Sequence, residues 1–236
     1  MESVPNLPCV YIARMEVEPT YLRRFMDWYE DKHAPDTISV GFHSAQAYHC
    51  RIGSPFIFNA YEIDSSEIFY TDAYSTMRTP EQDPQRPEVL AHIADRSNTV
   101  YAQVATIGVD VPSHPWTRGS RPGGIAADAI SSLRFDVTEA DDRAVVDWFN
   151  SHASTAVSAL PGHRSSRLCL QSGRLHPANP STQPRWLLLS EWDNEDVARD
   201  ACARKQRLLS DPEVPGVATR TAYDCAVRTF STYADG

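Results

Sequence analysis

The sequence lacks the features that mark several classes of protein. It holds five cysteines, an odd number, with no Cys-x-x-Cys pair and no Cys/His spacing typical of a zinc site. No apolar run reaches the roughly 18 residues that a membrane-spanning helix needs. The N-terminus also lacks the basic and apolar regions of a secretory signal. We therefore expect reduced thiols, a cytoplasmic location and no membrane partner.

Lysine is scarce as well, since only Lys32 and Lys205 are present and the other basic residues are arginines. The formal net charge is −9. Surfaces that bind nucleic acid are basic, because they must neutralise phosphates. The charge therefore argues against a nucleic-acid partner and favours a small molecule as the ligand.

The motifs of the common cofactor-binding and hydrolytic enzymes are also missing. The sequence contains no GxGxxG, GxxxxGK[ST], GxSxG or HExxH. The Gly-rich stretch SRPGG is not followed by Lys-Ser or Lys-Thr, so it is not a phosphate-binding loop. These absences exclude the usual nucleotide sites and the usual hydrolase nucleophile.

What the sequence does contain is one order of elements given twice. In the first half, hydrophobic alternation and helical spacing predict the order strand, helix, strand, strand, helix, strand. The first helix is predicted to run from about Pro19 to His33, and Pro35 is expected to end it. The sequences of these elements are VYIARMEV, then the helix, then FHSAQAYHCRI, PFIFNAYEI, DSSEIFYTDAYSTM and TVYAQVATIG.

The second half repeats this order. Its predicted elements are SSLRFDV, DDRAVVDWFNSHASTAVSAL, GHRSSRLCLQS, RWLLLSEWD, NEDVARDACARKQRLL and ATRTAYDCAVRTFS. The segment GRLHPANPSTQP, between two of its strands, is predicted to be an exposed loop. The third predicted strand ends similarly in each half, with Glu62 and Glu191 at equivalent positions.

A βαββαβ order given twice predicts two tandem ferredoxin-like units of the α+β class. Each antiparallel sheet would carry helices on one face only, so we expect the two sheets to face each other. The predicted units span residues 1–108 and 130–236, and a Pro/Gly-rich linker spans residues 109–129. Outer strand edges would remain, so we expect a monomer or a homodimer.

The first helix and the strand after it carry a family resemblance. The pattern WYxxxHxP, followed by Gly-Phe and a strand with a tyrosine, is similar to the dimeric α/β-barrel superfamily, especially its EthD-like members. The matching residues are Trp28, Tyr29, His33, Pro35, Gly41, Phe42 and Tyr48. The second half keeps Trp148, Phe149, His152, Pro161 and Gly162 but lacks the proline after the histidine. The chain thus resembles a fused pseudo-dimer of that superfamily.

The resemblance implies cofactor-free chemistry in a hydrophobic barrel, because the superfamily includes isomerases, cyclases, lyases and monooxygenases. It also includes heme-dependent members built from fused units, in which a histidine is the iron ligand, and proteins with no known activity. The leading hypothesis is a cofactor-independent lyase or isomerase acting on a small apolar or aromatic metabolite. The alternatives are a heme-dependent oxidoreductase or dehydratase, and a non-catalytic ligand-binding protein.

The candidate site residues cluster in the first half. His33 is expected to be the acid/base, because histidine titrates near neutral pH, with Tyr29 or Tyr61 orienting the substrate. Glu62 is a further acid/base candidate if it points into an apolar barrel. His43 and His49 share one strand face with two alanines and Tyr48 lies on the other face, so either set could line the pocket.

The remaining candidates would bind substrate. Trp28 and Trp192 would wall a pocket for a flat ligand, and His152 and His163 are the reserve residues of the second half. Phe149 stands where the first half has Tyr29, and Ser190 where it has Tyr61. Because the second half thereby loses two phenols, we expect the working pocket in the first half.

Overall fold

Eight antiparallel strands form the centre of the molecule. The computed structural model describes residues 7–108, 124–138 and 142–234, and the strands close into a barrel in the order β1-β3-β2-β8-β5-β7-β6-β4. The strands are β1 (Cys9–Val17), β2 (Ser44–Ile52), β3 (Ile57–Ile63), β4 (Ile93–Ile107), β5 (Ala129–Val137), β6 (His163–Gln171), β7 (Trp186–Trp192) and β8 (Ala218–Tyr233).

The barrel closes where strands from the two halves of the chain pair with each other. β2 pairs with β8, and β4 pairs with β6. Closure removes every free edge of this barrel, so the expectation of exposed outer edges is wrong. The two sheets are joined edge to edge as well as facing each other across the barrel.

The helices pack on the outside of this sheet. They are α1 (Leu22–Trp28), α2 (Ala34–Ser39), α3 (Asp72–Met77), α4 (Arg86–Ala91), α5 (Asp142–Trp148), α6 (Ser154–Ser158) and α7 (Glu195–Arg207), with short 3₁₀ turns at Ser66–Tyr70 and Leu208–Ser210. The α+β class and the barrel predicted from the repeat are confirmed. Helix α4 was not predicted, and residues 109–123 of the expected linker lie outside the described residues.

A π-helical turn joins the first two helices into one continuous arm. Tyr29–His33 form this turn, in which the Ala34 N–H bonds to the Tyr29 carbonyl five residues earlier. The expectation that Pro35 ends the helix is therefore wrong, since the helix continues to Ser39. The wider turn accommodates a ring that has no N–H to donate. The second half has the same turn at Phe149–Ala153 without a proline.

Side-chain alternation assigns each strand residue to the barrel interior or to the helices. The interior core includes Val10, Ile12, Tyr48, Phe58 and Ala60. Intervening residues of the same strands pack outward in a second core with the first-half helices, and a third core repeats this in the second half. The interior is therefore filled with side chains, as in other small barrels.

Buried charges complete the barrel interior. Asp224 bonds to Arg14 Nη1 at 2.8 Å and to Arg134 Nη2 at 3.0 Å, and all three side chains are almost fully buried. Arg167 Nη1 pairs with Glu191 at 2.6 Å in the same way. Each charge there has a partner, because an unpaired charge in such an interior is costly. None of the described helices is both long and apolar enough to cross a membrane.

The Asp224 contacts generate a prediction about stability. Asp224→Ala leaves two buried guanidiniums without their carboxylate, so we expect the free energy of unfolding to fall by about 3–5 kcal/mol. Urea denaturation followed by circular dichroism measures this. Asp147→Ala removes a carboxylate from an exposed pair with Arg143 and should change stability by less than about 0.5 kcal/mol. Equal effects of the two substitutions would contradict the assignment.

Candidate active site

A cavity of about 70 Å³ lies between the first-half helices and the outer face of the strands beneath them. A volume of this size holds several water molecules; an engineered cavity that binds benzene measures roughly 150 Å³, so a ligand with fused rings must extend beyond this cavity. Its polar lining residues are Tyr11, Tyr29, His33, Asn59, Tyr61, Tyr74, Arg78, Arg86, Arg96, Asn98, His176 and Asn179, with Trp28 and apolar residues completing the wall. Three predicted site residues besides His33 are therefore here: Trp28, Tyr29 and Tyr61.

Aromatic rings form most of the wall. Tyr11 and Tyr61 face each other across the β1–β3 register with ring centroids 5.1 Å apart, and Trp28 stacks on His33 at 4.8 Å. Burial raises the pKa of Tyr29, whose hydroxyl has no hydrogen-bond partner among the described residues. Burial also raises the pKa of Tyr61 well above its usual value. Both phenols are therefore neutral hydrogen-bond donors near neutral pH.

The environment of His33 sets its tautomer. Arg86 Nη2 lies 3.0 Å from His33 Nδ1, and because a guanidinium only donates, Nδ1 is the acceptor. Burial lowers the pKa of His33 well below its usual value, and the charges of Arg86 and Arg78 lower it further. The imidazole is thus neutral with its proton on Nε2. Its basic lone pair is engaged, so in this arrangement His33 is a hydrogen-bond donor rather than the expected general base.

Asp83 holds the charged side of the cavity in place. Its carboxylate lies 3.2 Å from Arg86 Nε and accepts from Trp28 Nε1 at 3.1 Å, while being almost fully buried. One carboxylate thereby fixes both groups that contact His33. Asp83 stands behind Arg86, and no Asp or Glu is among the described residues that line the cavity. With Arg78 and Arg96 also in the wall, the cavity is positively charged.

The loop between β6 and β7 reaches across to this cavity. His176 of that loop is 4% exposed and contacts Tyr74 of α3 through Nε2 and Oη at 3.1 Å. Arg174 N donates to Ser66 Oγ at 2.8 Å, which anchors the loop to the first half. The expectation of an exposed loop is therefore wrong for His176, because the loop packs on the first half of the chain.

Four predicted first-half residues lie outside the cavity. Glu62 points into the filled barrel, where it accepts from Ser44 Oγ and Ile125 N. Tyr48 also points inward and donates to Ala127 O at 3.1 Å. His43 pairs with Asp64 at 2.9 Å, and His49 packs on Phe56. None of these four side chains lines the cavity beneath the helices, and their roles in substrate contact stay predictions.

The second half differs most at its two predicted histidines. His152 is exposed at the surface, and Ala153 takes the place in the π turn that His33 has in the first half. His163 is partly buried beside Trp192, with ring centroids 5.5 Å apart, and Trp192 Nε1 donates to Ser131 Oγ at 2.8 Å. Neither histidine nor Trp192 lines the first-half cavity.

Lys205 of α7 occupies the corresponding place in the second half. Ser131 and Ser190 face each other in the β5–β7 register as Tyr11 and Tyr61 do in the first half. Lys205 Nζ donates to Ser190 Oγ at 2.9 Å, Leu188 O at 3.0 Å and Ser131 Oγ at 3.1 Å. It is 1% exposed. A lysine side chain thus fills the space that is a cavity in the first half.

Sequence reasoning missed Arg78, Arg86, Tyr74 and His176. Tyr74 and Arg78 are four residues apart at the end of a predicted helix, which places them on one face and could have indicated them. Arg86 and His176 lie in segments without a periodic pattern, so no local signal indicated them. No group of three or more His, Cys, Asp or Glu that could hold a metal ion occurs in the described chain.

Comparison with known proteins identifies the fold but not a family. No family model matches the chain, and no curated protein matches it. Among solved structures, a proposed monooxygenase from Lactobacillus acidophilus has 11% identity, a TM-score of 0.58 and coverage of 97% of both chains. An anthrone oxidase-like protein has 11% identity and a TM-score of 0.56, with 100% of this chain and 97% of its own covered.

A variant chlorite dismutase from Candidatus Nitrospira defluvii is also similar, with 8% identity, a TM-score of 0.56 and coverage of 94% of this chain and 92% of that one. At these identities the likeness establishes the fold alone. The chain has the ferredoxin-like dimeric α/β-barrel fold, as the first-half motif predicted. The EthD-like assignment, the tandem pseudo-dimer and the division at residues 109–129 remain predictions.

Lys205 provides a pH-dependent prediction. Burial lowers its pKa to about 7, so the unfolded chain holds a proton on Lys205 that the folded chain loses above that pH. Stability should therefore rise with pH from about 7 to 8.5, by at most about 1.4 kcal/mol per pH unit from this one proton. Lys205→Met should abolish that part of the slope in urea denaturation. Lys32→Met, at a partly exposed ion pair with Asp36, should retain the full slope. Identical slopes of stability against pH in wild type and both variants would contradict the assignment.

Proposed function

We propose that the protein is a cofactor-independent oxygenase that binds a small aromatic substrate as its phenolate or enolate anion in the first-half cavity. The observation that carries the proposal is the combination of three arginines with an aromatic wall and no acidic lining residue among those described. The solved structures of the same fold are oxygenase and oxidoreductase proteins by description, which favours oxidation over the lyase or isomerase reading.

The charges of the cavity would stabilise such an anion. Arg86 is buried and held by Asp83, so its guanidinium is oriented before a ligand arrives. His33 adds a neutral Nε2–H donor beside it, and Tyr29 and Tyr61 add phenolic donors. Fixed donors and cations in a water-poor site lower the pKa of a bound phenol or enol. The substrate therefore releases its proton to solvent when it binds.

Ionisation makes the ring system electron-rich enough to react with O₂. An enolate forms when a CH₂ group beside the conjugated carbonyl loses its first C–H proton. The remaining C–H carbon gives electrons to O₂ and forms a peroxide, which takes up one proton. Loss of the second C–H proton then breaks the O–O bond, forms C=O and expels hydroxide, which leaves as water. The balance is CH₂ + O₂ → C=O + H₂O. The chain's role is to bind the anion, orient it and exclude bulk water.

Heme dependence is the main alternative, and the chlorite dismutase likeness in fold raises it. A histidine that ligates iron normally donates its other ring N–H to an acceptor. His33 Nδ1 instead accepts a hydrogen bond from Arg86, and His176 Nε2 is hydrogen-bonded to Tyr74. The histidines of the cavity therefore do not fit the role of an iron ligand in this arrangement.

The remaining alternatives differ in measurable ways. A lyase or isomerase would turn over without O₂, and a ligand-binding accessory protein would bind without turnover. Within the proposal the chain works as an EthD-like pseudo-dimer, as a monomer or homodimer in the cytoplasm. Glu62, which lies in the barrel interior, is given no role in it.

The proposal predicts the effect of removing the central cation. With anthrone as substrate and a chelator present, wild-type protein should consume one O₂ per quinone formed, and Arg86→Gln should lower kcat/KM by about 10²–10³, because one preorganised charge on the anion is lost. An oxygen electrode and quinone absorbance measure the two quantities. His33→Ala should lower kcat/KM by roughly tenfold or more through loss of the Nε2–H donor.

The control is His152→Gln, which changes an exposed histidine of the second half and should leave kcat/KM within about twofold. Turnover without O₂ would support the lyase or isomerase reading, and a Soret band in the purified protein would support heme. Loss of activity in His152→Gln with full activity in Arg86→Gln would reverse the placement of the site.

A further inference from the structure

Tyr74 is a phenol of the cavity whose hydrogen-bond partner comes from the other half of the chain. Tyr74 lies in α3, and its partner His176 lies in the loop between β6 and β7. Both side chains are buried and both line the cavity. The 3.1 Å contact between Tyr74 Oη and His176 Nε2 has two possible directions, which differ in where the tyrosine hydrogen points.

Backbone contacts of His176 decide between them. The N–H groups of Ala178 and Asn179 each lie 3.2 Å from His176 Nδ1. Both can only donate, so Nδ1 is the acceptor and carries no proton. Burial lowers the pKa of His176 to about 4, and Arg78 adds to this, so the ring is neutral. The single ring proton is therefore on Nε2, and Nε2 donates to Tyr74 Oη.

The tyrosine hydrogen is then left to point elsewhere. The Arg78 guanidinium lies over the Tyr74 ring, 5.3 Å from its centre, and a guanidinium cannot accept a hydrogen bond. Because His176 Nε2 donates to the Tyr74 oxygen, the hydroxyl hydrogen of Tyr74 is available for another acceptor. The described contacts of Tyr74 Oη include no such acceptor, and the open space beside this side chain is the cavity.

We infer that Tyr74, oriented by His176, recognises a second, uncharged acceptor oxygen of the substrate, such as a ketone or quinone carbonyl. This inference rests on the proposed function, in which Arg86 and His33 bind the anionic oxygen. The substrate class is then a flat aromatic compound with an ionisable hydroxyl and a separate carbonyl. Tyr74 contacts the substrate, whereas His176 is a positioning residue that acts through Tyr74.

The loop anchors explain how a segment remote in sequence keeps this geometry. Tyr70 donates to Leu175 O, and the Arg174 guanidinium lies 3.4 Å from the centre of the Tyr70 ring. At the other end of the loop, Thr99 Oγ1 contacts Ser181 Oγ at 2.6 Å and Tyr101 donates to Pro184 O at 2.9 Å. His176 is thus fixed at both ends of its loop, so the direction of the Tyr74 hydrogen is set before a ligand binds.

The first test is the tautomer itself, which requires no ligand and no activity. Long-range proton–nitrogen NMR spectra of the full chain report which nitrogen of His176 carries hydrogen. We expect the proton on Nε2 at pH 7. A proton on Nδ1 would make Tyr74 the donor to His176 and would overturn the inference.

The second test compares two ligands that differ in one carbonyl, a hydroxytetralone and the matching hydroxytetralin. Tryptophan fluorescence, to which Trp28 contributes, measures their dissociation constants. Wild-type protein should bind the ketone about threefold to tenfold more tightly, as expected for one hydrogen bond, and Tyr74→Phe should remove that preference. His176→Ala should weaken the preference, and His176→Gln, which keeps a donor, should restore part of it.

Tyr48→Phe is the control, because it removes a buried phenol that points into the barrel instead of the cavity. It should retain the full preference for the ketone. If Tyr74→Phe weakens both ligands equally, Tyr74 is merely structural and the inference fails while the anion site stands. If neither ligand binds wild-type protein, or binding of both is unchanged in Arg86→Gln, the proposed function fails and the inference fails with it.

Discussion

Closure of the barrel is the constraint on which the rest of the structure depends. Pairing of β2 with β8 and of β4 with β6 leaves an enclosed interior that must be filled. It is filled by apolar side chains and by buried ion pairs, such as those of Arg14 and Arg134 with Asp224. The candidate cavity lies instead on the outer face, beneath the first-half helices.

The two outer faces differ around this shared frame. Both halves have a helix with the same π turn, so the backbone forms an equivalent space between helix and sheet in each half. In the first half two tyrosines face each other there, and arginines supply the charge. In the second half two serines face each other, and Lys205 reaches between them. The first-half space is an open, positively charged cavity, whereas the Lys205 side chain fills the equivalent space in the second half.

The fold was predictable because its signal is periodic. Strand alternation and helical spacing occur twice in the same order, and the sheet follows from the βαββαβ unit. The first-half location of Tyr29, His33 and Tyr61 was predictable in the same way, because each lies in an element with a clear pattern. The comparison of Tyr61 with Ser190 also indicated which half is open, and the structure supplies Lys205 as the physical reason.

The rest depends on tertiary contacts that periodicity does not encode. Glu62 and Tyr48 were assigned to a pocket because strand alternation gives two faces and does not say which one meets a ligand. The tautomer of His33 depends on Arg86, which is 53 positions away along the chain. His176 comes from a loop of the other half. His152 stands one residue closer to Trp148 than His33 does to Trp28, and that shift of one position in the π turn places it in solvent.

The measurement that tests the account most directly is the location of a bound phenol. Crystals of the full chain soaked in bromophenol would give an anomalous signal from bromine that marks the ligand without assumptions about its orientation. The account predicts a peak in the first-half cavity with the phenol oxygen directed at Arg86 and His33. A peak inside the barrel, or in the second half beside Lys205, with the first-half cavity empty, would contradict it.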